Sequence, residues 1–572
     1  MRLFALGAAL LVAGASQAQE PADIVLRGGA VYTVDASRSW AEAVAIRGNE
    51  IVYVGLDEHA GALIGESTQV IDLDGKMVLP GFQDSHIHPV SSSLKSYMCS
   101  LYGLPGREAY IKKIRECVAE HGDAEWIHGS GWSHGYFPEG EKPTKFMLDE
   151  IVADKPVTLT SYDGHSLWVN SKALEIGGVD ENTPDVDFGE VVRLPGGREP
   201  SGLLNENDAQ QLVLRYQPPY TEQQIYDALI SVQAYLNSLG VTSIQDAIVD
   251  ISDDGIYGVH TAYQRAAREE SITLRVVAAL YWDSKKGLEQ IEAFKAIRDQ
   301  AVGMFRATSV KIWYDGVMHT HTSSLLEDYA DKPGERGMTM FSREDLYEIV
   351  TALDESEFQV HFHADGDGAI RDCLDAVEHA LRSNGRRDAR HHIAHLELIH
   401  PDDIVRFRDL GVVANVQPIW STSKAYIGDL IGVKIGKERA RWLEINKSFL
   451  DAGVTTAYGS DWYVTSPNPM DLIEAAVTRI RPALSRQEKE QSKPILPGEE
   501  VGVADAIASY TINGAYVNHQ EDTTGSIEVG KLADIVVLDK NIFDVPKVQI
   551  SETNVLLTIM NGKIVFDESS HH

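Results

Sequence analysis

Cysteine is nearly absent. Cys99, Cys117 and Cys373 are the only three in 572 residues, too few for a scaffold built on disulfides. In an oxidising compartment Cys99 and Cys117 could pair and leave Cys373 buried and free; the alternative is three small apolar residues in the core. Positive charge is scarce too. The 51 Lys and Arg stand against 85 Asp and Glu, a formal net charge of −34, and no basic run occurs. That balance argues against nucleic acid and anionic membrane as partners, since both demand clustered Lys and Arg. Past the N-terminus no stretch approaches the roughly 20 apolar residues that span a bilayer, so no membrane span is expected. No Gly-x-Gly-x-x-Gly follows a first strand, which leaves an open doubly wound sheet as the weaker of two fold readings.

What remains is an ordinary globular balance, 43% hydrophobic and 24% charged, with strong organisation along the chain. Residues 1–18 stand apart. Arg2, the apolar run from Leu3 to Ala15 and the small residues Ser16 and Ala18 form a secretory signal with cleavage expected before Gln19. The mature protein is therefore expected to be exported, periplasmic or secreted. Short alternating strands fill Ile24 to Leu79, and the same texture returns at Asp534 to Leu538 and Val555 to Ile559. These tails, 19–80 and 520–567, predict one small β-sandwich assembled from both ends of the chain.

Between them, residues 81–519 alternate strands with helical stretches, the rhythm of a parallel sheet. The strand candidates are the segment ending at His88, then Val241 to Gln245, Arg275 to Tyr281, Ser309 to Tyr314, Gln359 to His363, His391 to His395, Val412 to Val416 and Thr455 to Ser460. Eight β/α units predict an α/β fold with a TIM-like (β/α)8 barrel. The gap after the first strand is too long for one crossover, so about 101–217 must hold an insertion over one end.

The chemistry-bearing residues fall at the C-terminal ends of these strands, where barrels build their sites. In Gly81-Phe82-Gln83-Asp84-Ser85-His86-Ile87-His88-Pro89, alternation puts His86 and His88 on one face, a bidentate grip for a metal. Such a pair is a weak signal alone; His319-Thr320-His321 and His361-Phe362-His363 show the same spacing. Lys311 lies inside the apolar strand Ser309 to Trp313, where an amine must be neutralised or paired. His363, His395 and Asp461 end later strands. Each has a bland reading, an ion pair or a core imidazole, but jointly they converge on one rim.

In these blocks the chain resembles the amidohydrolase superfamily, specifically its amidohydrolase-3 branch, which includes N-substituted formamide deformylases. The resemblance runs from Leu79-Pro80-Gly81-Phe82 through Gly131-Trp132, Gly164-His165-Ser166 and Val169-Asn170-Ser171. It continues with Asp315-Gly316 after Lys311, His363-Ala364-Asp365-Gly366-Asp367, Gly459-Ser460-Asp461-Trp462 and the tail from Gly525 to Val536. It implies a divalent metal centre, zinc being the expected ion, with one or two ions bound. His86, His88 and Asp461 are then ligands of the deeper ion, Lys311 the lysine that takes up CO2 as a bridging carbamate, and His363 and His395 ligands of a second ion. The pattern departs at Ala394, where relatives often carry Glu, and at His319 and His321, where no ligands are expected.

The resemblance further implies a small-molecule amide or N-acyl amine as substrate, with Asp461 as general base and then acid. His165 and His392 are candidates for holding the substrate carbonyl, and Trp132, Trp313 and Trp462 for lining an apolar pocket. A deaminase or a lactone or ester hydrolase could use the same centre; Lys311 counts against the deaminase. A non-enzymatic binding protein fits poorly with a full ligand set, and self-association as a homo-oligomer is left open.

Overall fold

The structure, a computed structural model, describes residues 20–96, 98–137, 141–251, 258–423, 427–428 and 431–571. The expected signal segment lies outside the described residues. Eight strands form one sheet in strict chain order: β1 (Phe82–Ile87), β2 (Val241–Val249), β3 (Arg275–Tyr281), β4 (Phe305–Trp313), β5 (Gln359–Ala364), β6 (His392–His395), β7 (Val413–Val416) and β8 (Thr456–Tyr458). Every neighbouring pair is parallel. The last strand returns to the first: Ser85 Oγ donates to the Tyr458 carbonyl at 2.7 Å, and the Asp461 amide donates to the His86 carbonyl at 2.8 Å. This is a TIM-like barrel. β4 begins four residues before the sequence signal, because Phe305 and Ala307 are buried while Arg306 is exposed, an alternation that hides a strand among polar residues.

The outer helices follow from their apolar spacing. In Arg343–Glu355 the buried residues Leu346, Ile349, Val350 and Leu353 recur at i, i+3, i+4 and i+7, one stripe against the sheet. Ser342 caps that helix by accepting from the Asp345 amide. Each such buried side chain is worth about 1.5–3 kcal/mol before entropy is charged.

Between β1 and β2 the chain builds a separate five-stranded sheet, in the order Glu190–Arg193, Pro200–Asn205, Ser166–Val169, Val157–Ser161, Ile127–Trp132. It has its own core, in which Trp132, Leu159, Trp168 and Leu203 pack together. The chain ends form two further sheets. Four strands, all N-terminal, lie in the order Glu50–Gly55, Ala43–Arg47, Ile24–Arg27, Gln69–Asp72. Six lie in the order Lys563–Asp567, Val555–Met560, Ile535–Leu538, Met77–Pro80, Ala30–Tyr32, Trp40–Ala41. The C-terminal segment thus joins at Met77–Pro80, whose Leu79 pairs with Val536. Ile24, Val44, Val78, Ile535 and Ile559 share one apolar cluster between the sheets.

Cys99 and Cys117 are joined by a disulfide with Cα atoms 5.5 Å apart, and Cys373 is buried and free. The bond ties the start of the insertion to its helix Arg107–Glu120. Closing a loop of this length removes unfolded-state entropy worth about 3 kcal/mol. Cys117→Ala is therefore expected to lower unfolding free energy by about 2–4 kcal/mol, read by chemical denaturation. Added reductant should lower the wild-type midpoint and leave the variant's unchanged.

Candidate metal centre

The centre sits where β1 meets the end of β8. Asp84, fully buried in β1, accepts from the amides of His86 (3.2 Å) and Ser460 (3.0 Å) through Oδ1 and from the Tyr510 hydroxyl (3.0 Å) through Oδ2. Burial outweighs these bonds and pushes its carboxyl up to about 6. Gly459 makes the close approach possible, because a Cβ there would lie 2.4 Å from the Cβ of His86. Beyond this seam Asp461 turns into the left-handed region, φ +50°, as does His395 at φ +80°. Such backbone costs a non-glycine residue about 1–3 kcal/mol and concentrates at functional sites.

Asp461 Oδ1 lies 3.3 Å from His86 Nε2 and 3.1 Å from His88 Nε2. The ligand atoms of these three residues all fall within 4.8 Å of one another. His86 Nε2 is buried with no hydrogen-bond partner, and burial, aided by Lys311 and neighbouring imidazoles, holds His86 well below the usual histidine range. A neutral buried nitrogen aimed at a carboxylate is what a divalent ion would satisfy, so the residues fit the group. The opposite nitrogen, His86 Nδ1, is 2.7 Å from His361 Nε2, an outer partner that fixes the ring.

Lys311, His363 and His395 line one 590 Å³ cavity with His88 and Asp461. Lys311 is 1% exposed; burial pushes its amine down to about 7, against the pull of Asp461 and Asp365. The His363 and His395 rings are 4.5 Å apart. Their Nδ1 atoms have no hydrogen-bond partner and lie 3.5 Å from Asp315 Oδ1 and 4.0 Å from Asp461 Oδ2. All six expected ligands therefore reach one region, but only His86, His88 and Asp461 close into a single grip among the described residues.

The Asp315-Gly316 block has a structural task. Asp315 accepts from the amides of Asp365 (3.0 Å), Gly366 (3.1 Å) and Ser324 (2.9 Å) and so holds the turn after His363. Gly366 is required there, since a Cβ would meet the Ser324 carbonyl at 2.0 Å.

His165 enters the cavity from the insertion. Its Nδ1 donates to Glu206 Oε2 at 2.8 Å, and Glu206 Oε1 accepts from Thr322 Oγ1 at 2.6 Å. Burial alone would push His165 down; the Glu206 charge and hydrogen bond more than offset it, so the imidazole is held above its usual value. His319 also faces the cavity, 3.1 Å from Asp163 Oδ2, whereas His321 pairs with Asp331 at 3.0 Å.

Three expectations need correction. His392 cannot hold a substrate carbonyl: it is fully buried, its ring centroid 3.9 Å from that of His361 and its Nδ1 3.1 Å from Asn415 Nδ2. Trp132 lies in the core of the insertion with its indole donating to the Leu159 carbonyl. Trp462 packs on Tyr235 at 5.5 Å. Of the three tryptophans only Trp313 lines the cavity, joined by Trp420, which stacks on His395. Asp84, Glu206 and Asp163 escaped the sequence reading, and His361 entered it only as one half of a His-x-His pair. Asp84 lies inside the quoted block around His86, but its partners Ser460 and Tyr510 are 376 and 426 residues away.

A family model described as "Amidohydrolase family" matches residues 69–566. The chain belongs to the amidohydrolase family. Protein LONG AFTER FAR-RED 3 of Arabidopsis thaliana is 31% identical over 560 residues, covering 95% of this chain and 92% of that protein. N-substituted formamide deformylase of Arthrobacter pascens is 25% identical over 555 residues, covering 96% and 99%. Among solved structures, a metal-dependent hydrolase from Pyrococcus furiosus aligns with a TM-score of 0.68 at 25% identity, over 91% of this chain and 99% of that one. The zinc complex of the atrazine chlorohydrolase TrzN from Arthrobacter aurescens TC1 shares the fold, with a TM-score of 0.52 at 16% identity, covering 95% of each chain. Within this amidohydrolase the seam residues and the imidazoles make a graded prediction. His86→Ala and His88→Ala should each weaken zinc binding by more than about 100-fold, and His361→Ala by about 10–100-fold, as loss of an outer partner does. Equilibrium dialysis against zinc checks both; unaltered affinity in the first two variants would remove them from the ligand set.

Proposed function

We propose that the chain is an exported, zinc-dependent amidohydrolase that cleaves a non-peptide C–N bond, in an amide or N-acyl amine. The observation that carries this reading is the convergence of His86 Nε2, His88 Nε2 and Asp461 Oδ1 at a cavity that also holds a buried lysine. The formamide deformylase relative supports an amide as substrate. The signal-like N-terminus and the Cys99–Cys117 bond support export to an oxidising compartment.

Each residue has a task in this chemistry. His86, His88 and Asp461 would hold the ion, and His363 and His395 a second one. Bound there, divalent metal supplies a more acidic water and a positive charge that polarises the substrate carbonyl. Lys311, with its amine brought down to about 7 by burial, is available as the neutral nucleophile that adds CO2 and loses a proton to become a carbamate. The other carboxylate oxygen of Asp461 takes the proton of the attacking water and delivers it to the leaving nitrogen. His165, whose Nδ1 donates to Glu206 and whose imidazole is held above its usual value, binds the carbonyl oxygen through Nε2 in its protonated form as charge develops there.

The test is a panel of formyl, acetyl, aromatic-acyl and long-chain acyl amides given to the zinc-loaded mature protein, with a chelated control. Chelator-sensitive release of amine without free ammonia is the expected result. Asp461→Asn should lower kcat by about 10²–10⁴-fold, the usual worth of a general base. Lys311→Ala should lose turnover and regain part of it with an added short carboxylate. Ammonia as the sole nitrogen product would overturn the amidase reading in favour of deamination.

A further inference from the structure

His134, carried by the insertion, stands in the wall of the 590 Å³ cavity that holds the grip. Ser133 places it, accepting from the Gly135 amide at 3.3 Å and so capping the short turn His134–Tyr136. Behind the ring a row of polar side chains crosses the five-stranded sheet. Ser166 faces Asn205 on the neighbouring strand, and Asn205 faces Glu190 on the edge strand. His134 Nε2 lies 2.9 Å from Ser166 Oγ, Ser166 Oγ 2.8 Å from Asn205 Oδ1, and Asn205 Nδ2 3.1 Å from Glu190 Oε2. Each link fixes the next. A carboxylate only accepts, so the Asn205 amide turns its nitrogen to Glu190 and its oxygen to Ser166. Ser166 gives its one hydroxyl hydrogen to that oxygen and can only accept from His134. The imidazole therefore carries its hydrogen on Nε2 and keeps a bare lone pair on Nδ1. Burial, reinforced by His319, pushes the ring down to about 3, so no proton covers that lone pair near neutral pH. Nδ1 meets no other group among the described residues. Unlike the sealed nitrogens His361 Nδ1 and His392 Nε2, it belongs to a partly exposed ring that opens on the cavity.

We propose that His134 is a specificity-determining residue whose Nδ1 accepts a hydrogen bond from a hydroxyl or N–H that the substrate carries away from its scissile bond. This rests on the amidohydrolase reading above, which makes the cavity the substrate's. An acceptor that cannot change roles discriminates by sign: it favours a donor, offers nothing to an ether oxygen, and sets lone pair against lone pair with any group that only accepts. The direction is imposed from outside the site, because Glu190 is exposed on the edge strand and acts on the ring only through Asn205 and Ser166. The neighbouring imidazoles have other tasks. His165 donates to Glu206, and His319 pairs with Asp163. Tyr102, Tyr136 and Trp420 stand in the same wall and suit an aryl group, so a phenol is the simplest group that meets both features.

The experiment reads binding, so turnover is not needed. Zinc-loaded protein is titrated calorimetrically with benzoate, phenylacetate and 3-phenylpropanoate, each also as its meta and para hydroxy and methoxy derivatives. The carboxylate is a ligand for zinc, and the three chain lengths sample the reach from the metal to His134. At one position or more the hydroxy acid should bind about three- to tenfold tighter than both its methoxy and its unsubstituted partner, the worth of one net hydrogen bond. His134→Phe should remove that preference. Glu190→Gln, which keeps the shape of an exposed side chain but lets the Asn205 amide turn over, should weaken it and leave zinc affinity and the unsubstituted acids unchanged. A merely structural role for Glu190 would not move the preference alone. Equal affinity throughout the series, tighter binding of the methoxy acids, or a hydroxy preference that survives His134→Phe overturns the assignment. Absence of amide turnover beside the expected binding pattern would strike the proposed reaction and leave His134 in its role; turnover without that pattern would do the reverse.

Discussion

The closure of the barrel at the β1–β8 seam is the constraint on which the rest depends. Two strand ends nearly 380 residues apart are held by Asp84, which binds the Ser460 amide and the Tyr510 hydroxyl, and by the Asp461 amide on the His86 carbonyl. Those bonds lie in the fully buried interior, where an unpaired polar group costs about 1–3 kcal/mol, so the seam cannot loosen a little at a time. Asp461 is thereby fixed in a left-handed conformation against His86 and His88, and the metal grip follows from the way the sheet closes.

The remaining polar groups are arranged around that grip by burial. Five imidazoles, those of His86, His361, His363, His392 and His395, are pushed well below the usual histidine range, first by burial and then by neighbouring charges. Each neutral ring consequently keeps one nitrogen with a free lone pair, the form in which histidine ligates metal. Lys311 is shifted in the same sense, so a single physical cause, desolvation, prepares both the ligands and the amine. His165 is the exception, because Glu206 sits beside it and holds it above its usual value.

The insertion makes a site of what would otherwise be an open rim. It contributes Glu206, which accepts from Thr322, and Asp163, which pairs with His319, and it carries His165 into the cavity beside the grip.

The sequence by itself determined the barrel and the insertion and marked the strand ends that carry polar residues, because each leaves a local trace: alternation along a strand, a gap too long for a crossover, a polar residue ending an apolar run. The ordered blocks then pointed to the family. Tertiary structure alone decided which histidines face the cavity. His361, His363, His392 and His395 look alike along the chain, yet His361 and His392 lie beneath the site while His363 and His395 line it. Side-chain direction at a strand end depends on the register and tilt of the neighbouring strands, which no local pattern encodes. The same holds for Asp84, Glu206 and Trp420, whose tasks exist only because partners remote in the chain are brought to hydrogen-bonding or stacking distance by closure of the sheet.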